Sequence, residues 1–458
     1  MIPKSLSVAL FLSFSLGAFA APNFIVVLGD DVGWDAFGCT GTATARTPNI
    51  DKLAKDSCQM NRFYCSVSQC APCRAELYTG LLPKRNGVRA NAIKEPRPGV
   101  LNVIDRLGPL GYRVGLTGKL HFGLGKVPFD KIDGFSANGN GSGQTHSLDG
   151  VRGYIQKAQA ADQSFCVFIC STHAHHPWDH GDEADFPTDS LTVSPHYVDT
   201  PKTRQAIAKH AAEVEVLDQQ VGETLAMMRD LSLPDNTVLV FLSEQGIAMP
   251  RGKWSPYEHG SRALCLAHWP GKIAARSTDA LAMYCDILPT MLDYAGGAAE
   301  GLDGRSLKAL WSNPEQTTHR DAVLISNEHP FWQKAIVKPR YKLLWTALPE
   351  REHVFSNFTS KGKFFSQPWT EWKDAAERDE AAAKHVARVL HPGALELYDV
   401  IDDPYETQNL AGLDEHQHRV NTLHQQLKAL MVDAGETIVP PTAAAKNKKS
   451  QRQKKKKK

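Results

Sequence analysis

The amino-acid sequence predicts an α/β fold, and three observations carry the expectation. Four short β-runs, at 24–28, 112–117, 165–170 and 238–242, have strand character, and each stops at a cluster of polar side chains. Ahead of the fourth run, Ile207, Val214, Leu217, Val221, Leu225 and Met228 recur at helical spacing within Lys202 to Asp230. From about His319 the texture changes to strand-like runs at Ala322 to Ile325, Ala335 to Val337 and Tyr341 to Trp345, and an amphipathic helix follows from His416 to Ala434. That end reads as a small antiparallel sheet with one helix, packed on a larger α/β body.

A chain of 458 residues is long enough for a large core and for two or three domains. Lys4, the apolar stretch Leu6 to Phe19 and the small-x-small site Ala18-Phe19-Ala20 predict a signal peptide over 1–20. The product is then exported, to the periplasm or outside the cell, and no later apolar run is long enough to span a bilayer. The expected divisions are a catalytic body over 21–318, a C-terminal subdomain over 319–438 and a disordered polybasic tail over 439–458. Nine of the 52 basic residues lie in Lys446 to Lys458, so the rest of the chain sets 43 basic against 50 acidic residues, a net of −7. Nothing in that body forms the basic stripe of a nucleic-acid binder. Nine cysteines are an odd number for an exported chain and imply a leftover thiol. Cys166 and Cys170 lie in an apolar run and are expected as buried thiols.

The first apolar run, Asn23 to Leu28, suits the middle of a parallel sheet, because it is apolar on both faces. Asp30 and Asp31 follow it, where open α/β sheets bind ligands, although a solvated turn would use the same residues. Cys70-Ala71-Pro72-Cys73-Arg74 opens a helix: Pro72 suits the first turn, and Ala75-Glu76-Leu77 continue it. A thiol at that mouth, with Arg74 one turn on, is expected to have its thiolate favoured. The Cys70–Cys73 spacing equally fits a redox pair or a disulfide. The second run ends in Lys119-Leu120-His121, and a Gly/Asn-rich loop is expected over Ser136 to Gly143. The third run ends in His173-Ala174-His175-His176, whose spacing fits no standard zinc pattern. The fourth ends in Ser243-Glu244-Gln245-Gly246. Four strands ending in such groups, with a helix mouth carrying Cys70, point to one convergent site.

Cys70-x-Pro72-x-Arg74 followed by Thr79-Gly80 resembles the signature of the formylglycine-dependent sulfatases, in the alkaline-phosphatase-like superfamily. The likeness continues through Asn23-x-Ile25 to Asp30-Asp31-x-Gly33-Trp34, Gly38-Cys39-x-Gly41, Thr47 to Ala54, Gly118-Lys119-x-His121, and Lys253-x-x-x-Tyr257-Glu258-x-Gly260-x-Arg262. It reaches Glu396 to Ala411. Two positions depart from the family pattern. Cys73 stands where Ser is usual, and Glu244-Gln245 stand where Asp is followed by Asn or His.

The resemblance implies a large mixed sheet sandwiched by helices, a calcium ion (magnesium in some members) and a formylglycine made from Cys70 by a maturation enzyme. Asp30, Asp31, Glu244, Gln245 and the side chain at Cys70 would hold the metal, oxygen donors suiting a hard cation. Lys119 and Lys253 would neutralise the sulfate, His175 protonate the leaving alcohol, His121 take the remaining hydroxyl proton, and Arg74 steady the formylglycine. The substrate class implied is a sulfated carbohydrate, cleaved at an ester or a sulfamate. The stretch from Glu244 to Arg262 is similar to the N-sulfoglucosamine sulfohydrolase branch. Trp178 and Trp254 are expected to be exposed and to stack on a sugar ring. The alternatives are a phosphatase or phosphodiesterase of the same superfamily, and an inactive glycan-binding homologue.

Overall fold

The structure, a computed structural model, describes residues 21–123, 126–139, 146–353, 355 and 366–440. The expected signal peptide, most of the expected tail and part of the loop over Ser136 to Gly143 lie outside them.

The larger of two sheets has nine strands: β1 (Asn23–Leu28), β2 (Cys58–Tyr64), β3 (Arg113–Gly118), β4 (Asp130–Lys131), β5 (Phe165–Cys170), β6 (Thr237–Leu242), β7 (Arg262–His268), β8 (Arg276–Thr278) and β9 (Ala282–Met283). Their order is β4-β3-β5-β1-β6-β7-β2-β8, with β9 beside β2. β7 runs antiparallel to both neighbours, which makes the sheet mixed. The four apolar runs of the sequence are β3, β5, β1 and β6, four adjacent parallel strands.

Register explains why their ends converge. Leu28 pairs with both Cys170 and Leu242, and Cys170 pairs with Gly118. Whatever follows these residues therefore emerges side by side at the carboxyl edge. Alternation sends Phe24, Val26 and Leu28 into one core with Ala71, Ala75 and Tyr78 of the helix Cys70–Thr79. Ile25 and Val27 enter the opposite core with Val214, Leu217 and Val221 of the helix Pro201–Asp230. The sheet is thus covered on both faces, and its central strands need side chains that are apolar throughout.

β2 escapes a reading for apolar runs because Gln59, Asn61 and Arg62 interrupt it. Arg62 is buried nonetheless, and its guanidinium donates to the Lys338 and Pro339 carbonyls.

The second sheet is antiparallel, in the order β10 (Val323–Asn327), β11 (Gln333–Val337), β12 (Tyr341–Thr346) and β13 (Leu395–Asp399). The helix Gln417–Asp433 lays Val420, Leu423, Leu427 and Met431 on its Leu324, Ile336, Leu343 and Leu397. Buried ion pairs tie the two sheets together. Lys342 on β12 lies 3.0 Å from Glu258 and 3.2 Å from Glu406. Removing one partner of such a group leaves a buried charge uncompensated, at about 3–5 kcal/mol.

Two further helices, Ser366–Ala376 and Glu380–Leu390, were not legible in the sequence. They pack on the long helix, where Trp372 Nε1 donates to Thr203 Oγ1 at 2.8 Å. Trp369, Trp372 and Val386 share a core with Trp178. Trp178 is accordingly 6% exposed, its indole N–H donating to Ala174 O at 2.8 Å. The expected exposed stacking surface at Trp178 is corrected on that ground. All nine cysteines are free thiols, Cys166 and Cys170 buried among them.

Candidate active site

Close backbone packing sets the site. Gly118 has φ +79°, and a Cβ there would fall 1.8 Å from Cys170 O, so only glycine fits. This approach lets Lys119 N donate to Cys170 O at 3.0 Å and aims the lysine inward. Asp30 N donates to His173 O at 2.9 Å. Asp31 (φ 54°) and His121 (φ 55°) both adopt the left-handed conformation, which non-glycine residues take at a cost of order 1 kcal/mol or more. Cys70 is the first residue of its helix, all ten residues of which are buried.

These groups meet in one pocket. Asp30, Asp31, Cys70 and Glu244 offer ligand atoms all within 4.8 Å of one another, and all four residues are buried. Arg74 lies beside them, its Nε 2.9 Å from Glu244 Oε1 and its Nη2 3.7 Å from Asp30 Oδ1, and Nη1 donates to Lys119 O. Lys119 Nζ reaches Asp30 Oδ2 at 2.5 Å. Lys253 Nζ sits 2.6 Å from both oxygens of Asp31. His175 Nδ1–H donates to His176 O at 2.6 Å, which turns Nε2 toward Asp31 Oδ2, 3.5 Å away. Gln245 Nε2 faces Asp31 Oδ1, Glu244 Oε2 at 2.9 Å and Cys70 Sγ at 3.2 Å. Gln245 Oε1 is buried without a hydrogen-bond partner. Asp30, Asp31, Cys70, Arg74, Lys119, His175, Glu244, Gln245 and Lys253 are thus brought together, and His121 lies two residues beyond Lys119; Trp178 is not among them.

The donor set fits a hard cation: three carboxylates and an amide whose oxygen has no other partner. Electrostatics points the same way. Burial, with Asp30 beside it, pushes Glu244 up to about 8. Burial also opposes ionisation of Asp30, but Lys119, His175 and Arg74 hold it well below the usual carboxylate range. Three carboxylates in one dry pocket repel, and a divalent ion relieves that. Burial, followed by the Lys119 and Arg74 cations, drives His121 down to about 2, so its ring is neutral in this pocket.

The expected Cys70 thiolate is not what the pocket favours. Burial, then Glu244, raises this thiol well above its ordinary value, outweighing Lys119 and Lys253. A partly exposed helix mouth would have favoured the thiolate; a buried one among carboxylates does not.

Several supporting residues escaped the sequence reading. Glu213 accepts from His173 Nδ1 and from the backbone of Asp179 and His180 at 3.0 and 2.8 Å, so His173 braces the loop that carries His175. His210 Nε2 donates to Asp31 O at 3.0 Å. The available signal was polar residues on the long helix that nevertheless end up buried. Of the two tryptophans expected at the site, Trp254 is the half-buried one, with Lys253 Nζ 5.4 Å from its ring centroid.

Glu76, on the Cys70 helix, yields a stability prediction. Burial raises its carboxyl from 4.5 to about 8, against the hydrogen bonds from Ser66. Folding therefore prefers the protonated acid. That preference stabilises in full below pH 4.5 and is lost as pH rises through about 8. Glu76→Gln is neutral at every pH, so its Tm relative to wild type should climb between about pH 4.5 and 8 and level off above that. A Tm difference independent of pH would show that the carboxyl is not held neutral.

A mixed α/β sheet with carboxylates, cations and a cysteine at its carboxyl edge defines a hydrolase suited to an anionic ester. The chain belongs to the sulfatase family, whose model, described as Sulfatase, matches residues 22–298. An ulvan-active sulfatase of Formosa agariphila is 28% identical over 432 residues, covering 91% of this chain and 81% of that one. Human arylsulfatase A is 29% identical over 481 residues, covering 90% and 87%. Human N-sulphoglucosamine sulphohydrolase is 26% identical over 475 residues, covering 92% and 91%. Among solved structures, a protein of glycosaminoglycan metabolism in Bacteroides thetaiotaomicron superposes with a TM-score of 0.68 at 20% identity, covering 91% of this chain and 97% of that one.

Proposed function

We propose that this chain is an exported sulfatase that removes sulfate, as ester or sulfamate, from a carbohydrate, using a formylglycine made from Cys70 and a bound calcium or magnesium ion. One observation carries the reading: Asp30, Asp31 and Glu244 converge on Cys70 beside Arg74, Lys119 and Lys253. The relatives supply the substrate class, one named for activity on ulvan and one for N-sulphoglucosamine.

In this proposal Asp30, Asp31, Glu244 and Gln245 hold the cation together with residue 70. A hydrated formylglycine at residue 70 would supply the attacking hydroxyl, and a cation held by these residues would supply positive charge for the sulfate oxygens. Lys119 and Lys253 exchange their carboxylate contacts for sulfate oxygens. His175, held by its Nδ1–H to His176 O, must first take up a proton on Nε2 and can then pass it to the leaving group; burial lowers its affinity for that proton and the nearby Asp31 carboxylate opposes the loss. His121 receives the remaining hydroxyl proton, a step that requires the Lys119 and Arg74 charges beside it to be taken up by the bound sulfate, because both disfavour its protonated form. Arg74 fixes Asp30 and Glu244 against the first helical turn.

A screen of defined sulfated saccharides for inorganic sulfate release tests the proposal. Phosphate release from phosphate esters in place of sulfate would favour the phosphatase, and binding without release the inactive homologue. Export and the division at about residue 318 belong to the same proposal. Among the described residues no helix is long and apolar enough to cross a membrane. Truncation after Ile438 should leave both turnover of a small aryl sulfate and Tm unchanged. A fall in Tm of more than about 4 °C, roughly 1 kcal/mol or more, would move the domain end into the tail.

A further inference from the structure

The turn from Ala90 to Lys94 has no role in the chemistry above, yet it is fastened to the reaction centre from two sides. Asn91 Oδ1 accepts from Ala71 N at 2.9 Å, and Asn91 N donates to Gln69 Oε1 at 3.0 Å. The turn therefore rides on the start of the Cys70 helix. Ile93 N donates to Ala90 O at 2.8 Å and closes it. At the other end, Lys94 O accepts from Gly123 N at 2.8 Å, two residues beyond His121.

The Lys94 side chain crosses to the strip that runs beside His121. Its Nζ donates to Asn138 Oδ1 at 2.8 Å. The residue before Asn138 is Ala137, whose carbonyl accepts from His121 N at 2.9 Å. The residue after it is Gly139, where a Cβ would lie 2.6 Å from Lys119 Cγ. The ammonium of Lys94 is thus anchored to the strip that flanks Lys119 and His121.

Charge pairing sets Lys94 apart. Arg74, Lys119 and Lys253 each face a carboxylate. Lys94 is half-buried and makes no ion pair among the described residues; a neutral amide anchors it. Burial and the nearby Lys119 cation both lower its affinity for a proton. A cation in a positive field, held by an amide, is stabilised by an anion that arrives from outside.

We propose that Lys94 and Asn138 form a subsite for a second anionic group of the substrate, a sulfate or a carboxylate next to the sulfate that is cleaved. The inference rests on the sulfatase reading. It adds that the carbohydrate carries at least two negative groups close together. The ammonium and the Asn138 Nδ2–H₂ are the donors to that second anion.

The test compares matched probes on wild type, Lys94→Ala and Lys94→Arg. One pair is glucosamine 6-sulfate with and without an N-sulfate. The other is a monosulfated uronate disaccharide and its carboxyl-reduced form. Wild type should favour the dianionic member of a pair in kcat/KM. Lys94→Ala should lower that ratio about tenfold, mainly through KM, and Lys94→Arg should restore most of it. The pair that responds identifies the second anion as sulfate or carboxylate. A ratio unchanged in Lys94→Ala on both pairs overturns the proposal. So does an equal fall on both members, which would assign Lys94 to the reacting sulfate. Calorimetric binding of the same pairs to Cys70→Ser protein, with and without Lys94→Ala, reads the subsite without turnover. If wild type releases no sulfate from any probe while the binding preference persists and depends on Lys94, the hydrolase reading falls and the subsite stands.

Discussion

Active protein is expected to carry formylglycine at residue 70, with Cys73 unmodified, and Cys70→Ser to lose about 10³-fold or more in kcat while keeping its fold and its metal. The pocket explains why a plain thiol is a poor substitute. Cys70 Sγ is fully buried, 3.5 Å from Asp31 Oδ1 and 3.2 Å from Gln245 Nε2, and burial disfavours its thiolate. A thiolate that did attack a sulfate ester would end as an S-sulfonated cysteine with no easy exit. A hydrated aldehyde differs, because its second hydroxyl can lose a proton and push sulfate out. Serine at this position has no such second hydroxyl. Mass spectrometry of the peptide spanning Ser66 to Arg74, set against specific activity, decides the matter. An intact thiol in fully active enzyme, or a Cys70–Cys73 disulfide there, would falsify the mechanism.

The strands that carry the site were legible for a physical reason. β1, β5 and β6 are covered on both faces, so each had to be a near-continuous apolar run, while β3 shows the same signal broken by Arg113 and Thr117, and each run had to stop where its backbone left the sheet. The polar residues past those stops were visible as a set, and the family resemblance supplied their roles. Residues whose work depends on distant partners were not legible. Glu213 looks like any acid on an amphipathic helix until His173 is folded against it, 40 residues away in sequence. Asn91 and Lys94 sit in an unremarkable turn that matters only because it lands on Ala71 and Gly123. The helical pair was hidden because its apolar residues are few and find their partner in the long helix, 169 residues earlier for Trp372 and Thr203. The Cys70 thiol was misjudged for a related reason: helix position is a local property, whereas burial is a global one.

Removal of the cation is the other large effect expected. Chelation should abolish sulfate release, calcium should restore it, and Asp31→Ala should lose bound metal and activity together, by about 10²-fold or more. Full activity in a metal-free preparation would end this part of the proposal. Gln245 offers the sharper probe, because the family resemblance puts Asn or His there. Its Oε1 is buried and unpartnered, while Nε2 faces three acceptors, Asp31, Glu244 and Cys70. An amide can exchange the two atoms by turning over, and a cation among those acceptors requires the oxygen. Gln245→Asn keeps the amide but draws that oxygen back by one methylene, and Glu244, itself one methylene longer than the family's aspartate, does not shorten to compensate. Calcium affinity of the Cys70→Ser protein, measured by calorimetry, should fall about tenfold in Gln245→Asn and recover in part when Glu244→Asp is added. Unchanged affinity in Gln245→Asn would remove residue 245 from the ligand set. Recovery in the double variant would show that the two longer side chains work as a matched pair, each reaching further because the other does.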